Sequence, residues 1–119
     1  MSANQINELN QKLDNLILEG KLLEAFDRFY AENVAMQEGS NAPREGKTAN
    51  REYEEQFVSS IAEFHGAKLH ASAATGEQSY SEWTFDFTPK GGERIKMTQV
   101  AARTWKDGQI VFERFYIAQ

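Results

Sequence analysis

The sequence predicts an α+β domain in which three N-terminal helices pack on one face of an antiparallel sheet. Two features of the residue pattern predict it. Apolar residues recur at helical spacing up to about residue 65, and from Ala67 onwards they alternate with polar residues. The alternating segments follow one another through short turns, which is typical of an antiparallel meander. Helices first and strands after define the α+β class.

Three segments carry the helical pattern. The first covers residues 4–19, and the second covers Leu22–Tyr30. The third is predicted over Thr48–His65, where Tyr53 and Phe57 belong to its apolar stripe. The acidic residues within 52–55 are expected to be a solvated helix start, since negative charge suits the positive end of the helix dipole.

Four long strands follow, and a short one precedes the third helix. The predicted strands are 34–38, Lys68–Thr75, Gln78–Thr88, Arg94–Lys106 and Gln109–Ile117. The dipeptide between the last two strands, Asp-Gly, is a strong signal for a tight hairpin. The sequence therefore predicts a meander with a fixed register at its C-terminal end.

A single acid, Glu38, ends the short strand. The stretch Leu22–Gly46 runs from helix through the polar turn Ala31-Glu32-Asn33 into this strand, and a loop from Gly39 to Lys47 follows. This arrangement can hold the Glu38 carboxylate at the mouth of a cavity. The alternative is a solvated loop acid without a role.

Composition narrows the class of protein. A chain of 119 residues suits one domain over residues 1–119. A net charge of −5 with scattered Lys and Arg argues against nucleic-acid binding. Without cysteine there is no disulfide, and His65 and His70 lack a third ligand beside them, so neither metal nor cofactor is expected. No secretion signal or membrane-spanning run is present, so we expect a cytoplasmic protein without membrane contacts.

Four short motifs, in this order along the chain, carry a family resemblance: Phe29-Tyr30-Ala31-Glu32-Asn33, Met36-Gln37-Glu38, Pro43-Arg44-Glu45-Gly46 and Trp105-Lys106-Asp107-Gly108-Gln109-Ile110. Together with the order of elements, they resemble the SnoaL-like and ketosteroid-isomerase-like branch of the nuclear-transport-factor-2-like superfamily. The resemblance implies a strongly curved, cone-shaped (cystatin-like) sheet that encloses a pocket. It also implies that Glu38 stands where the isomerases carry the base that moves a proton between carbons.

Comparison with the same family argues against steroid isomerase activity in this protein. The isomerases stabilise an enolate with a tyrosine and a protonated acid, and the matching positions here are Leu13 and Ala101. An enolate without such donors loses roughly 3–4 kcal/mol of stabilisation per donor. Steroid isomerase activity is therefore not expected, even with Glu38 as a base.

The register set by the hairpin predicts which side chains face the pocket. The expected inward residues are Leu69, Ala71, Trp83, Phe85, Phe87, Met97, Gln99, Ala101, Arg103, Val111, Glu113, Phe115 and Ile117. Glu38, Arg103 and Glu113 are the catalytic candidates, with Arg103 pairing across strands to Glu113 and remaining partly free for a substrate oxygen.

The other candidates bind a ligand. Gln99 can orient a carbonyl or a water, while Trp83, Phe85, Tyr53 and Phe57 can hold a flat apolar molecule. Two simpler interpretations stay open. The Arg103–Glu113 pair can be a structural cross-strand contact contributing about 0.2–1 kcal/mol, and the aromatic residues can be core.

The outer face of the sheet is too apolar for an idle surface. Its predicted members include His70, Tyr80, Ile110, Phe112, Arg114 and Tyr116. We expect a homodimer through Phe112, Arg114 and Tyr116.

Three functions are consistent with the predicted fold and candidate residues. The first is an isomerase, cyclase or hydrolase that acts on an apolar carbonyl compound. The second is a non-catalytic ligand-binding module, and the third is a homodimeric interaction module whose cone is filled by side chains.

Overall fold

A computed structural model describes residues 1–118 as three helices and six strands. The helices are α1 (Ala3–Leu18), α2 (Leu22–Phe29) and α3 (Lys47–Ser60). The strands are β1 (Tyr30–Glu38), β2 (Arg44–Glu45), β3 (Ile61–Thr75), β4 (Gln78–Pro89), β5 (Ile95–Lys106) and β6 (Gln109–Ile117). The predicted α+β class is confirmed.

One curved, unclosed sheet holds all six strands in the order β2-β1-β6-β5-β4-β3. Strands β3 to β6 form the predicted antiparallel meander. Strand β1 runs parallel to β6, and Glu38 pairs with Phe115 there. The acid at the end of β1 therefore lies beside the last strand of the chain.

The third helix is shorter than predicted. It ends at Ser60, whose hydroxyl donates to the Phe57 carbonyl at 2.6 Å, and β3 begins at Ile61 rather than Lys68. The helical spacing of Phe57, Ile61 and Phe64 is misleading because the chain from Ile61 onwards pairs with β4 instead of continuing the helix. Phe64 lies opposite Phe87 in the sheet, and register shifts in β3 absorb the mismatch in spacing.

Two segments predicted as turn or loop belong to the sheet. The polar turn at 31–33 is part of β1, where the pairing with β6 shifts register between Tyr30 and Ala35. Within the predicted loop at 39–47, Arg44 and Glu45 form β2 and pair with β1. This second correction places Arg44 next to the end of β1.

The predicted register holds over most of the inner face and fails at two β-bulges. Ala101, Arg103 and Glu113 are buried as expected. A register shift between Thr104 and Trp105 turns Ile110 into the core, although it was predicted on the outer face, and Val111 is only half-buried. A second shift, between Leu69 and Ala71, leaves Ala71 exposed instead of inward.

The core lies between the inner face of the sheet and helices α1 and α2. Its fully buried members include Ile6, Leu13, Val34, Trp83, Trp105 and Ile110. The Ser2 hydroxyl accepts from the Gln5 amide and the Gln5 side chain accepts from the Ser2 amide, which fixes the start of α1. Among residues 1–118, no helix has the length and hydropathy needed to cross a membrane.

Candidate functional site

A cavity of about 460 Å³ opens between the three helices and the inner face of the sheet. Its walls are mainly apolar and aromatic, which is typical of small-molecule sites. All eight side chains predicted from the sequence line it: Glu38, Tyr53, Phe57, Trp83, Phe85, Gln99, Arg103 and Glu113. The structure thus brings the predicted set together, while the role of each member stays a prediction.

Arg103 is the centre of a buried ion-pair network that also includes Asp14, Glu113 and Tyr30. Its Nε donates to Glu113 Oε2 at 2.8 Å, and its Nη1 donates to Asp14 Oδ1 at 2.8 Å. The three charged side chains are buried. The Tyr30 hydroxyl donates to the second oxygen of Glu113 at 2.6 Å. Burial, and then the charge of Glu113, raises the pKa of Tyr30 well above its usual value.

Neutral polar groups complete this network beneath the cavity. Asn10 Oδ1 accepts from Arg103 Nη1 at 2.7 Å, and the Ser81 hydroxyl donates to Asp14 at 2.7 Å. The sequence predicted the Arg103–Glu113 pair, but the pair is buried and anchored to α1 rather than isolated on the sheet. Asn10 and Asp14 were not predicted, since they read as polar positions of an amphipathic helix.

Glu38 lies at the rim of the cavity and has a cationic partner. Arg44 Nη1 and Nη2 donate to its two oxygens at 3.0 and 3.3 Å. Asn50 fixes the same guanidinium by accepting from its Nε at 2.9 Å, and the group stacks 3.5 Å from the ring centre of Tyr53. The sequence did not predict this partner, which reaches Glu38 because β2 carries Arg44 alongside β1.

Glu54 is a cavity-lining carboxylate without an ion-pair partner among the described residues. It lies on α3 and lines the cavity together with Phe57, Val58 and Ile61. None of the ion pairs within residues 1–118 includes it. Burial, and then the negative charge of Glu113, raises the pKa of Glu54 from its ordinary 4.5 to about 7, although Arg44 opposes the shift.

The expectation of a solvated acidic cluster is therefore wrong for Glu54. Glu52 and Glu55 are exposed, as predicted, and Glu55 pairs with Arg51. A signal was present in the sequence, because Phe57 and Val58 follow Glu54 at helical spacings of three and four residues. These spacings place Glu54 on the apolar face of α3, whereas Glu52 falls on another face.

Aromatic side chains form the apolar walls. Trp83 stacks on Phe85 with ring centres 5.2 Å apart, and Phe57 meets Phe87 edge-on at 5.5 Å. Tyr53 is 42% exposed and stands at the rim, where burial and the nearby Glu38 raise its pKa. Gln99 is buried among these rings on β5. The part of the chain that the structure describes contains no cluster of ligating side chains that could hold a metal ion.

The family model for the SnoaL-like domain matches residues 2–117 of this chain. The chain belongs to the SnoaL-like family. The crystal structure of a proposed SnoaL-like polyketide cyclase from Mesorhizobium loti, also labelled a carbohydrate phosphatase, agrees in both sequence and fold. It is 30% identical, with a TM-score of 0.85, over 93% of this chain and 97% of that one.

More distant structures share the fold of this SnoaL-like protein. A proposed SnoaL-like polyketide cyclase from Jannaschia sp. CCS1 has a TM-score of 0.79 at 11% identity, covering 92% of this chain and 85% of that one. A protein of unknown function with a cystatin-like fold, from Xanthomonas campestris, has a TM-score of 0.83 at 15% identity, covering 100% and 92%. No curated protein matches the sequence significantly.

Proposed function

We propose that this SnoaL-like protein is an enzyme that moves a proton on an apolar carbonyl compound, with Glu54 as the acid–base group. The observation that carries the proposal is an unpaired carboxyl on the wall of an apolar cavity, with its pKa raised to about 7. A group with this pKa is partly charged and partly protonated at neutral pH, so it can both accept and donate a proton.

Glu54 fits this role better than Glu38. Both oxygens of Glu38 accept from Arg44, and Asn50 and Tyr53 hold that guanidinium in place, so the Glu38 carboxylate is already engaged in an ion pair. We thus retain the reaction class predicted from the sequence, but we propose Glu54 on α3 as the base instead of Glu38 at the rim. In this proposal Glu38 and Arg44 shape the entrance, and Arg103 and Glu113 hold the site together.

The reaction class follows from the acid–base group and its surroundings. Proton removal beside a carbonyl is a step that isomerisation and aldol-type cyclisation share. The Mesorhizobium loti relative is named a polyketide cyclase, which supports an oxygenated, largely apolar substrate. Leu13 and Ala101 stand where steroid isomerases carry their donors and are both buried, so we do not propose steroid isomerisation.

The proposal can be tested with a nitrobenzisoxazole, a flat apolar molecule that reports on a base. Removal of its ring proton breaks the N–O bond and leaves a coloured cyanonitrophenolate, with the proton on the base. We expect a rate that rises with pH through an apparent pKa near 7 and then levels off. Glu54→Gln should lower this rate by at least roughly 100-fold, as expected for loss of general base catalysis.

Two variants make the test specific. Glu52→Gln changes an exposed acid on the same helix and should leave the rate unchanged. If Glu38→Gln removes the activity while Glu54→Gln does not, the base is at the rim and our assignment is wrong. A protein that binds the probe without converting it supports the non-catalytic binding module instead.

We also propose that the outer face of the sheet mediates a homodimer. Tyr116 is 49% exposed and Tyr80 is 40% exposed there, and Arg114 stacks on Tyr116 at 4.7 Å. Phe112 is half-buried on the same strand. Gel filtration should give a dimer for the native chain and a monomer for Tyr116→Glu. A native chain that elutes as a monomer at high concentration contradicts the proposal.

A further inference from the structure

The entrance of the cavity has two different sides. On one side Glu38 and Arg44 form the ion pair at the rim, where both side chains are partly exposed. On the other side three large hydrophobic side chains line the cavity and are nevertheless exposed: Val58 (37%), Phe64 (45%) and Ile117 (42%). We call these three residues the apolar lip. Exposed apolar side chains that continue a cavity are typical of a ligand-binding surface.

The strand pairing places Phe64 and Ile117 at the same end of the sheet. Phe64 lies near the start of β3, opposite Phe87 near the end of β4. Ile117 is the last residue of β6 and lies opposite Gln99 in the first half of β5. Val58 belongs to the last turn of α3, which runs directly into β3. The apolar lip therefore lies where β3 begins and β6 ends.

Polar groups of the cavity lie further from this end. Arg103 is in the second half of β5, opposite Glu113, and both side chains are buried. Glu54 precedes Val58 by four residues, so it lies about 6 Å back along α3 from the lip. A ligand whose carbonyl group lies beside Glu54 can therefore bring the rest of its atoms to the apolar lip.

We propose that the ligand is a carbonyl compound with a hydrocarbon tail, whose carbonyl group lies inside the cavity and whose tail crosses the apolar lip. This inference rests on the proposed function and deepens it, because Glu54 sets which end of the ligand lies inside. The tail favours the lip over the opposite side of the entrance, since hydrocarbon laid over the Glu38–Arg44 pair would remove its remaining hydration. The lip residues then determine which chain lengths bind well.

Calorimetric titration with phenyl ketones of increasing chain length can test this proposal. Acetophenone, butyrophenone and hexanophenone share the ring and the carbonyl group and differ only in the alkyl chain. We expect hexanophenone to bind more tightly than acetophenone, by about 3- to 4-fold for each methylene group that contacts the lip. Phe64→Thr retains a residue suited to a β-strand. It should weaken hexanophenone binding by roughly 4-fold or more and leave acetophenone binding unchanged. Tyr80→Thr changes an exposed aromatic residue of β4 that is not part of the cavity lining, so this matched control should alter neither affinity.

Several results would overturn the hydrocarbon tail and leave the role of Glu54 intact. One is an affinity that does not rise with chain length, and another is an equal loss for all three ketones in Phe64→Thr. Ile117→Thr, at the exposed end of β6, should repeat the pattern of Phe64→Thr. If neither variant weakens hexanophenone binding, the tail does not cross the lip.

Gel filtration separates a ligand tail from a second copy of the chain as the occupant of the lip. Phe64→Thr should elute as the native chain does, and a change in its oligomeric state would mean that a second copy covers the lip, which overturns the proposal. The proposed function fails separately. If affinity rises with chain length but Glu54→Gln leaves the nitrobenzisoxazole reaction unchanged, the ligand class stands and the base assignment is wrong.

Discussion

Two of the regions around the cavity hold a carboxylate in opposite environments. In the ion-pair network, Glu113 and Asp14 are buried against Arg103, and Tyr30 takes a remaining oxygen of Glu113. On α3, Glu54 lines the same cavity and takes part in none of the ion pairs among the described residues. The chemical group is the same in both regions. Its partners decide whether it supports the fold or is available for proton transfer.

The comparison shows why proximity to a cavity is a weak guide to catalysis. A buried carboxylate with a guanidinium and a hydroxyl has its hydrogen-bonding capacity used, and changing it disturbs the structure first. A carboxylate without partners is costly to charge, and this cost raises its pKa into the range of general acid–base catalysis. Among the cavity-lining acids in the described part of the chain, Glu54 alone has no ion-pair partner, and its pKa is raised.

The largest expected effect comes from breaking the ion-pair network. Arg103→Met leaves Asp14 and Glu113 as buried carboxylates without a cation. We expect the free energy of unfolding to fall by about 3–5 kcal/mol, the usual cost of removing one partner of a buried pair. Urea unfolding followed by tryptophan fluorescence measures this loss, since both tryptophans are buried.

A matched control comes from an exposed ion pair. Arg51 donates to Asp27 at 2.6 Å on the surface between α3 and α2, and Arg51→Met should cost less than about 1 kcal/mol. If Arg103→Met costs no more than Arg51→Met, the buried network contributes nothing special, and its contrast with Glu54 disappears.

The sequence predicted the fold and much of the cavity for one physical reason. Strict alternation carries the inward positions along β5, so Gln99 and Arg103 fell on the correct face. Glu113 lies beyond the register shift between Thr104 and Trp105, and this shift places it opposite Arg103. The prediction failed where β-bulges interrupt the alternation, at Ile110 and Ala71, because local sequence patterns do not reveal a bulge.

The pairing of acids with cations was harder to predict. Arg44 reaches Glu38 only because a two-residue strand forms inside an apparent loop. Glu54 was hidden in an acidic run whose composition suggests solvent exposure, although its helical spacing to Phe57 and Val58 indicated the apolar face of α3. Such contacts depend on tertiary packing, so a single sequence gives the face of an element more readily than the partner of a side chain.

A smaller effect is expected from removing the charge of Glu54. Its pKa in the folded protein, about 7, lies above the ordinary value of 4.5, so the folded state holds a proton more tightly than the unfolded chain does. The contribution of protonated Glu54 to the free energy of unfolding is therefore fully present below pH 4.5 and is lost as pH rises through about 7. We expect Glu54→Gln to be more stable than the native protein by about 1–3 kcal/mol above this range.

The advantage of Glu54→Gln should vanish in acid, where the native carboxyl is also neutral. Denaturant unfolding at several pH values measures it directly, with Glu52→Gln as the control, because the exposed acid on the same helix should show no comparable pH dependence. A constant difference between Glu54→Gln and the native protein at every pH would mean that Glu54 titrates as an ordinary surface acid. In that case the two regions of the wall would no longer differ in their acid–base chemistry, and the proposed role of Glu54 would lose its physical basis.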